Sequence, residues 1–93
     1  MSARLWRIRG EVQGVGYRAF ALRAARATGV MSGAGGVRND ADGSVTVVAT
    51  GEAAALDRFG VELARGPRHA RVAGVEREEL AALPAGERFD LEF

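Results

Sequence analysis

The sequence predicts a two-layer α+β domain with the element order β-α-β-β-α-β and one further short strand at the C terminus. Stretches in which apolar and polar residues alternate are typical of strands with one buried face. Two longer stretches with apolar residues at helical spacing separate them, and glycine-rich turns bound the elements. Because 93 residues can enclose one such core but not separate cofactor and substrate domains, residues 1–93 are expected to form a single domain.

The first strand and the first helix are predicted from the first 29 residues. In residues 4–12, arginines alternate with apolar residues such as Trp6 and Ile8, which favours a strand with one buried face. Residues 18–28 are rich in alanine, leucine and arginine, and their apolar positions are spaced for an amphipathic helix. Gly29 can end that helix in the left-handed conformation.

A β-hairpin and a second helix follow. Residues 37–40 and 44–50 flank the turn Asp-Ala-Asp-Gly, in which Asp40 and Asp42 favour the turn and Gly43 can adopt a positive φ. Residues 53–65 form the second predicted helix, which the pair Gly-Pro closes. Its apolar positions are Leu56, Phe59 and Leu63.

Two alternating stretches, residues 71–78 and 88–93, complete the chain as strands. The resulting order matches the ferredoxin-like split βαβ arrangement, an antiparallel sheet with two helices on one face and the other face partly open to water. This scaffold serves many unrelated functions, so the function must be argued from the residues of a site.

Composition excludes several kinds of site. The chain has no cysteine, so disulfides, thiolate nucleophiles and zinc–thiolate centres are excluded, and His69 is its single histidine. No apolar run approaches the roughly 20 residues of a membrane span, and the N terminus has no signal-peptide pattern. We expect a cytoplasmic protein that does not bind membranes.

The stretch from Gly10 to Arg18 has the composition of an anion-binding cradle. A strand runs into a glycine-rich bend that delivers an arginine to a helix start, where backbone N–H groups and the helix dipole favour an anion. Arg18 adds a forked set of charged donors. The alternative is a plain strand-to-helix turn with a solvent-exposed arginine. The backbone donors predicted for the cradle are those of Gln13, Gly14, Val15, Gly16, Tyr17 and Arg18.

Asn39, on the predicted hairpin, is the second candidate. Its uncharged amide can donate and accept, so it can hold a water against a phosphoryl oxygen, whereas an aspartate would repel the phosphate. The alternative is that Asn39 only caps the turn. Asp40 and Asp42 are interpreted as turn formers rather than metal ligands.

Three segments together resemble the acylphosphatase family. In order, they are a Gly-x-Val-Gln-Gly-Val signature that ends in an aromatic residue and arginine, an Arg-Asn pair with glycines and a valine at fixed offsets, and a Gly-Pro-x-x-Ala-x-Val segment. The first is met by Gly10, Val12, Gln13, Gly14, Val15, Gly16, Tyr17 and Arg18. The second is met by Arg38, Asn39, Gly43, Val45 and Gly51, and the third by Gly66, Pro67, Ala70 and Val72.

The resemblance implies hydrolysis of small acyl phosphates, with Arg18 binding the phosphate and Asn39 positioning the attacking water. The carboxylate leaving group has a conjugate acid of pKa about 4 to 5, so no general acid is needed. We expect a monomer that needs neither metal nor cofactor and does not bind nucleic acid. His69 is expected to be a surface residue.

The sequence departs from the family pattern at two places. Gly35-Gly36 stands where members usually have glycine and tryptophan, and we expect reduced stability or a looser hairpin unless Trp6 or Met31 fills the space. The turn at residues 31–36 is longer by about three residues, an insertion that a loop absorbs at little entropic cost.

Two rival functions belong to other classes. A regulatory module could keep the anion cradle without catalysis, and it would bind phosphate but not hydrolyse benzoyl phosphate. An RNA-binding domain of this fold would need aromatic residues exposed on its central strands, where this chain carries valine and alanine.

Overall fold

The computed structural model describes residues 2–31, 35–84, 86 and 88–93. It contains the predicted order of elements: strands β1 (Ser2–Glu11), β2 (Gly35–Asn39), β3 (Val45–Gly51), β4 (Arg71–Leu80) and β5 (Leu91–Glu92), and helices α1 (Tyr17–Thr28) and α2 (Ala53–Arg65). Residues 32–34 of the lengthened turn lie outside the described residues. Neither described helix is long and apolar enough to cross a membrane.

The five strands form one antiparallel sheet in the order β4-β1-β3-β2-β5. The ferredoxin-like arrangement and the short extra strand are therefore confirmed. The central pair is β1 and β3, in a register that places Trp6 opposite Val47. β5 is shorter than predicted and pairs with β2 only through Leu91 opposite Val37 and Glu92 opposite Gly36.

The hydrophobic core lies between one face of the sheet and the two helices. Aromatic contacts join its layers: the ring of Phe59 on α2 lies edge-on to Trp6 at 5.3 Å and to Phe93 at 5.6 Å between centroids. α1 presents mainly alanines to this core, which lets it lie close to its neighbours. The fully buried members of the core include Ile8, Ala21, Val37, Val45, Val47, Leu56 and Leu63.

The opposite face of the sheet is covered in part by the chain that returns from β4 to β5. Because β4 and β5 are the two edge strands, this connection must pass from one edge to the other. Val48 faces away from the helices, since its neighbour Val47 belongs to the core, yet it is fully buried. A Cβ built on Gly36, opposite Val48, would lie 2.7 Å from Cβ of Phe89.

Phe89 thus occupies the space beside Gly36, for which Trp6 and Met31 were the two considered candidates. Trp6 is committed to the core on the helix side, and Met31 is 41% exposed. The missing aromatic residue of β2 is replaced by one from the C-terminal segment, because the two edges of the sheet are joined across this face.

Replacing Gly36 by alanine is expected to lower the free energy of unfolding by about 1–3 kcal/mol through overpacking. The new Cβ would lie 2.5 Å from the backbone oxygen of Leu91 as well as against Phe89, so β5 and the ring must both shift. The urea concentration at half-unfolding measures the effect.

Gly74→Ala is the matched control, because Gly74 is also a strand glycine but has no described atom within 4 Å of its Cβ position. We expect its free energy of unfolding to change by less than about 0.5 kcal/mol. Equal midpoints for the two variants would contradict the packing of Phe89 and β5 against Gly36.

Candidate active site

The bend between β1 and α1 depends on two glycines in the left-handed region. Gly14 has φ 75° and Gly16 has φ 80°, conformations that strain other residues. No described atom lies within 4 Å of a Cβ at either position, so the need for glycine is conformational rather than steric. Gly16 caps α1, and its carbonyl accepts the N–H of Phe20 at 3.0 Å.

The start of α1 leaves its first N–H groups for an external acceptor. The first N–H groups of a helix have no intrahelical partner, and the cap residue Gly16 supplies no side-chain oxygen. No acidic residue stands in the first turn of α1. The helix dipole therefore adds positive potential at the N terminus of α1, where Arg18 is the second residue.

Tyr17 anchors this end of the helix in the core. Its hydroxyl donates a hydrogen bond of 2.5 Å to the carbonyl of Leu63 on α2. Burial raises the pKa of Tyr17, so its hydroxyl stays protonated. Its side chain is therefore a structural anchor, and only its backbone can belong to the cradle.

Gln13 ties the bend to the β2–β3 hairpin through its side chain. Its Nε2 donates to the backbone oxygens of Asp40, at 2.7 Å, and Ser44, at 2.9 Å. Only the backbone N–H of Gln13 was predicted to take part in the site, and this side-chain bond was not predicted. The sequence signal for this bond is a long amide side chain just after a strand that is predicted to lie beside the hairpin. The turn of that hairpin offers backbone carbonyl oxygens as acceptors.

The hairpin turn is held by the carboxylate of Asp40. It accepts hydrogen bonds from Thr46 (2.5 Å), Ser44 (3.0 Å) and Nε of Arg38 (3.1 Å). Partial burial alone would raise the pKa of Asp40, but the bonds from Thr46, Arg38 and Ser44 outweigh it and hold the pKa below its usual value. Asp42 accepts the backbone N–H of Ser44 at 3.0 Å, so both aspartates form the turn.

One cavity of about 230 Å³ brings Arg18 and Asn39 together. Four of the six predicted cradle residues line it, whereas Gln13 bonds the hairpin and Val15 packs against the core. The lining residues are Val12, Gly14, Gly16, Tyr17, Arg18, Ala19, Asn39 and Leu91.

Asp90, which the sequence analysis did not single out, contacts both candidate residues. Its Oδ2 lies 3.1 Å from Nη1 of Arg18 and accepts the backbone N–H of Asn39 at 2.8 Å. No motif marks Asp90, because its position depends on β5 pairing with β2.

The other candidate groups lie elsewhere. His69 is exposed in the turn after α2. Among residues 2–31, 35–84, 86 and 88–93, no three histidine, cysteine, aspartate or glutamate side chains are grouped so that they could hold a metal ion.

Comparison with known proteins identifies the family. A family model described as acylphosphatase matches residues 5–91. An acylphosphatase of Solibacter usitatus is 48% identical over 85% of this chain and 79% of its own, and one of Xanthomonas euvesicatoria pv. vesicatoria is 48% identical over 90% and 92%. The crystal structure of acylphosphatase from Bacillus subtilis superposes over the full length of both chains with a TM-score of 0.84 at 30% identity. The chain therefore belongs to the acylphosphatase family and is an enzyme that hydrolyses acyl phosphates.

Proposed function

We propose that the cavity between the α1 start and the β2–β3 hairpin is the active site, in which Arg18 and the cradle bind the phosphoryl group and Asn39 holds the attacking water. The observation that carries this assignment is that Arg18 and Asn39, 21 positions apart in the sequence, line one cavity. The substrate is a small acyl phosphate, and the products are a carboxylate and inorganic phosphate.

The phosphate-binding half of the site is built from fixed donors. The transition state of phosphoryl transfer spreads negative charge over the equatorial oxygens, so donors already in place stabilise it without reorganisation. The glycines at 14 and 16 fix the direction of the backbone, Tyr17 anchors the helix, and Arg18 supplies a full positive charge.

The water-binding half is placed by the hairpin. Asn39 is the last residue of β2, and the bonds from Gln13 to Asp40 and Ser44 hold the hairpin against the cradle. A neutral amide at this position can orient a water for in-line attack without repelling the phosphate.

The chemistry needs few ionisable groups. Of the residues that line the cavity, Arg18 and Tyr17 carry ionisable side chains. The Tyr17 hydroxyl already donates its hydrogen bond to the carbonyl of Leu63. This suits a reaction whose carboxylate leaving group departs without protonation. The identity to acylphosphatases favours this enzyme over a phosphate-binding module without catalysis.

Hydrolysis of benzoyl phosphate is expected to continue at an unchanged rate in excess EDTA, because water held by Asn39 is the nucleophile and the donors are protein groups. p-Nitrophenyl phosphate should be hydrolysed at least about 100-fold more slowly, since its leaving group is more basic. Release of phosphate, measured for both substrates with and without EDTA, checks this. Loss of benzoyl phosphate hydrolysis in EDTA that returns with Mg²⁺ would contradict the metal-independent mechanism.

The monomeric state and the cytoplasmic location, together with the absence of nucleic-acid binding, stay predictions of the sequence. Analytical ultracentrifugation at micromolar concentration tests the first.

A further inference from the structure

Asp90 lies in the segment that leads into β5, and its main chain is fixed to β2. Its backbone N–H donates to the carbonyl of Val37 at 2.9 Å. Its side chain reaches further along β2 and accepts the N–H of Asn39 at 2.8 Å. Asp90 is thus attached to the same strand by one backbone bond and one carboxylate bond, neither of which involves Arg18.

The same oxygen that accepts the Asn39 N–H also pairs with the guanidinium of Arg18, at 3.1 Å from Nη1. Because the bond to β2 fixes the carboxylate, Arg18 is the movable partner of the ion pair. Its long side chain extends from the exposed surface of α1, and the contact with Asp90 holds it in one orientation. A single oxygen therefore links the proposed phosphate ligand to the end of the strand that carries the proposed water ligand.

The ion pair between Arg18 and Asp90 contributes little to the stability of the fold. The side chains of Arg18 and Asp90 are 46% and 41% exposed, and ion pairs of such exposure contribute little to stability. Holding a reactive group in place before substrate arrives, in contrast, lowers the entropy that must be lost in the transition state.

The contacts of Asp90 leave both partners able to act. A guanidinium has five N–H donors, and Asp90 engages Nη1 alone. The bond to Asn39 uses its backbone, so the side-chain amide keeps its donors and acceptor. The negative charge of Asp90 disfavours a phosphate nearby, so its benefit must lie in orientation and not in affinity for the anion.

We propose that Asp90 is a positioning residue of the active site, which orients the Arg18 guanidinium and holds the Asn39 end of β2. This inference rests on the roles proposed above for Arg18 and Asn39. It predicts an effect on kcat, since geometry in the transition state is lost, and no increase in KM, since a repelling charge is removed.

Asp90→Asn is the sharpest variant, because the amide oxygen can still accept the Asn39 N–H while the charge that pairs with Arg18 is lost. With benzoyl phosphate we expect kcat to fall about tenfold and KM to stay within about twofold or to decrease. Asp90→Ala, which loses both bonds, should lower kcat further. Glu92→Gln, which neutralises an exposed carboxylate on β5, is the control and should leave both constants unchanged.

Thermal unfolding and a double variant make the result decisive. In the Arg18→Ala background, Asp90→Asn should lower kcat less than twofold, because the group that it orients is absent. A decrease in melting temperature without loss of kcat would overturn the proposal in favour of a structural role, and a lower KM at unchanged kcat would overturn it in favour of a competing anion. If Asp90→Asn has no effect while Arg18→Ala abolishes hydrolysis, this inference fails alone; if Arg18→Ala is also active, the proposed site fails.

Discussion

Arg18→Ala is expected to lower kcat/KM for acyl phosphate hydrolysis at least about 10²- to 10³-fold, the usual effect of removing one well-placed donor from a transition state. KM should also rise, because the guanidinium contacts the phosphate in the ground state as well. The fold should be retained, since the Arg18 side chain is half exposed and lies outside the core. Steady-state hydrolysis of benzoyl phosphate and circular dichroism measure the two effects.

Two variants separate the role of Arg18 from that of charge in general. Arg18→Lys keeps the charge but loses the forked donors, so it should recover only part of the activity. Arg23→Ala removes an exposed arginine of the same helix and should be silent. Equal losses in Arg18→Ala and Arg23→Ala would point to a diffuse electrostatic effect and contradict a specific phosphate ligand.

Asn39→Ala is expected to lower kcat by about 10²- to 10³-fold with little change in KM. The side chain is proposed to hold the water and not the phosphate, so substrate binding should persist. The variant keeps the backbone N–H that donates to Asp90, so the end of β2 should stay in place. Full Michaelis–Menten curves are needed, because a single substrate concentration would not separate kcat from KM.

Asn39→Asp offers a second test of the same role. A carboxylate of nearly the same shape should repel the phosphate, so here KM should rise while kcat falls. His69→Ala, in an exposed turn outside the cavity, should retain the wild-type constants. An Asn39→Ala enzyme with an unchanged kcat would exclude the amide as the water ligand.

The elements that depend on neighbouring residues could be predicted from the sequence. Alternation in β1, helical spacing in α2 and the Asp-Gly turn of the hairpin are local patterns, and the structure contains each of them. The bend at Gly14 and Gly16 belongs to this group, because a positive φ restricts residue type locally. The resemblance of three spaced segments identified the family, which the comparisons confirm.

The contacts that depend on which strands meet could not be predicted. Phe89 lies against Gly36, and Asp90 reaches Arg18 and Asn39, only because the chain crosses from one sheet edge to the other before β5. The end of β5 was predicted too long for the same reason. Only Leu91 and Glu92 pair with β2, and Asp90 before them instead bonds the strand through its N–H, to Val37, and its carboxylate, to Asn39.

The shared cavity of Arg18 and Asn39 is tested most directly by a crystal structure of the protein with inorganic phosphate. We expect the anion within hydrogen-bond distance of the Arg18 guanidinium and of backbone N–H groups in residues 14–18, with the Asn39 amide facing it across one water. A phosphate bound outside this cavity, or one bound there with Asn39 directed away from it, would contradict the proposed active site.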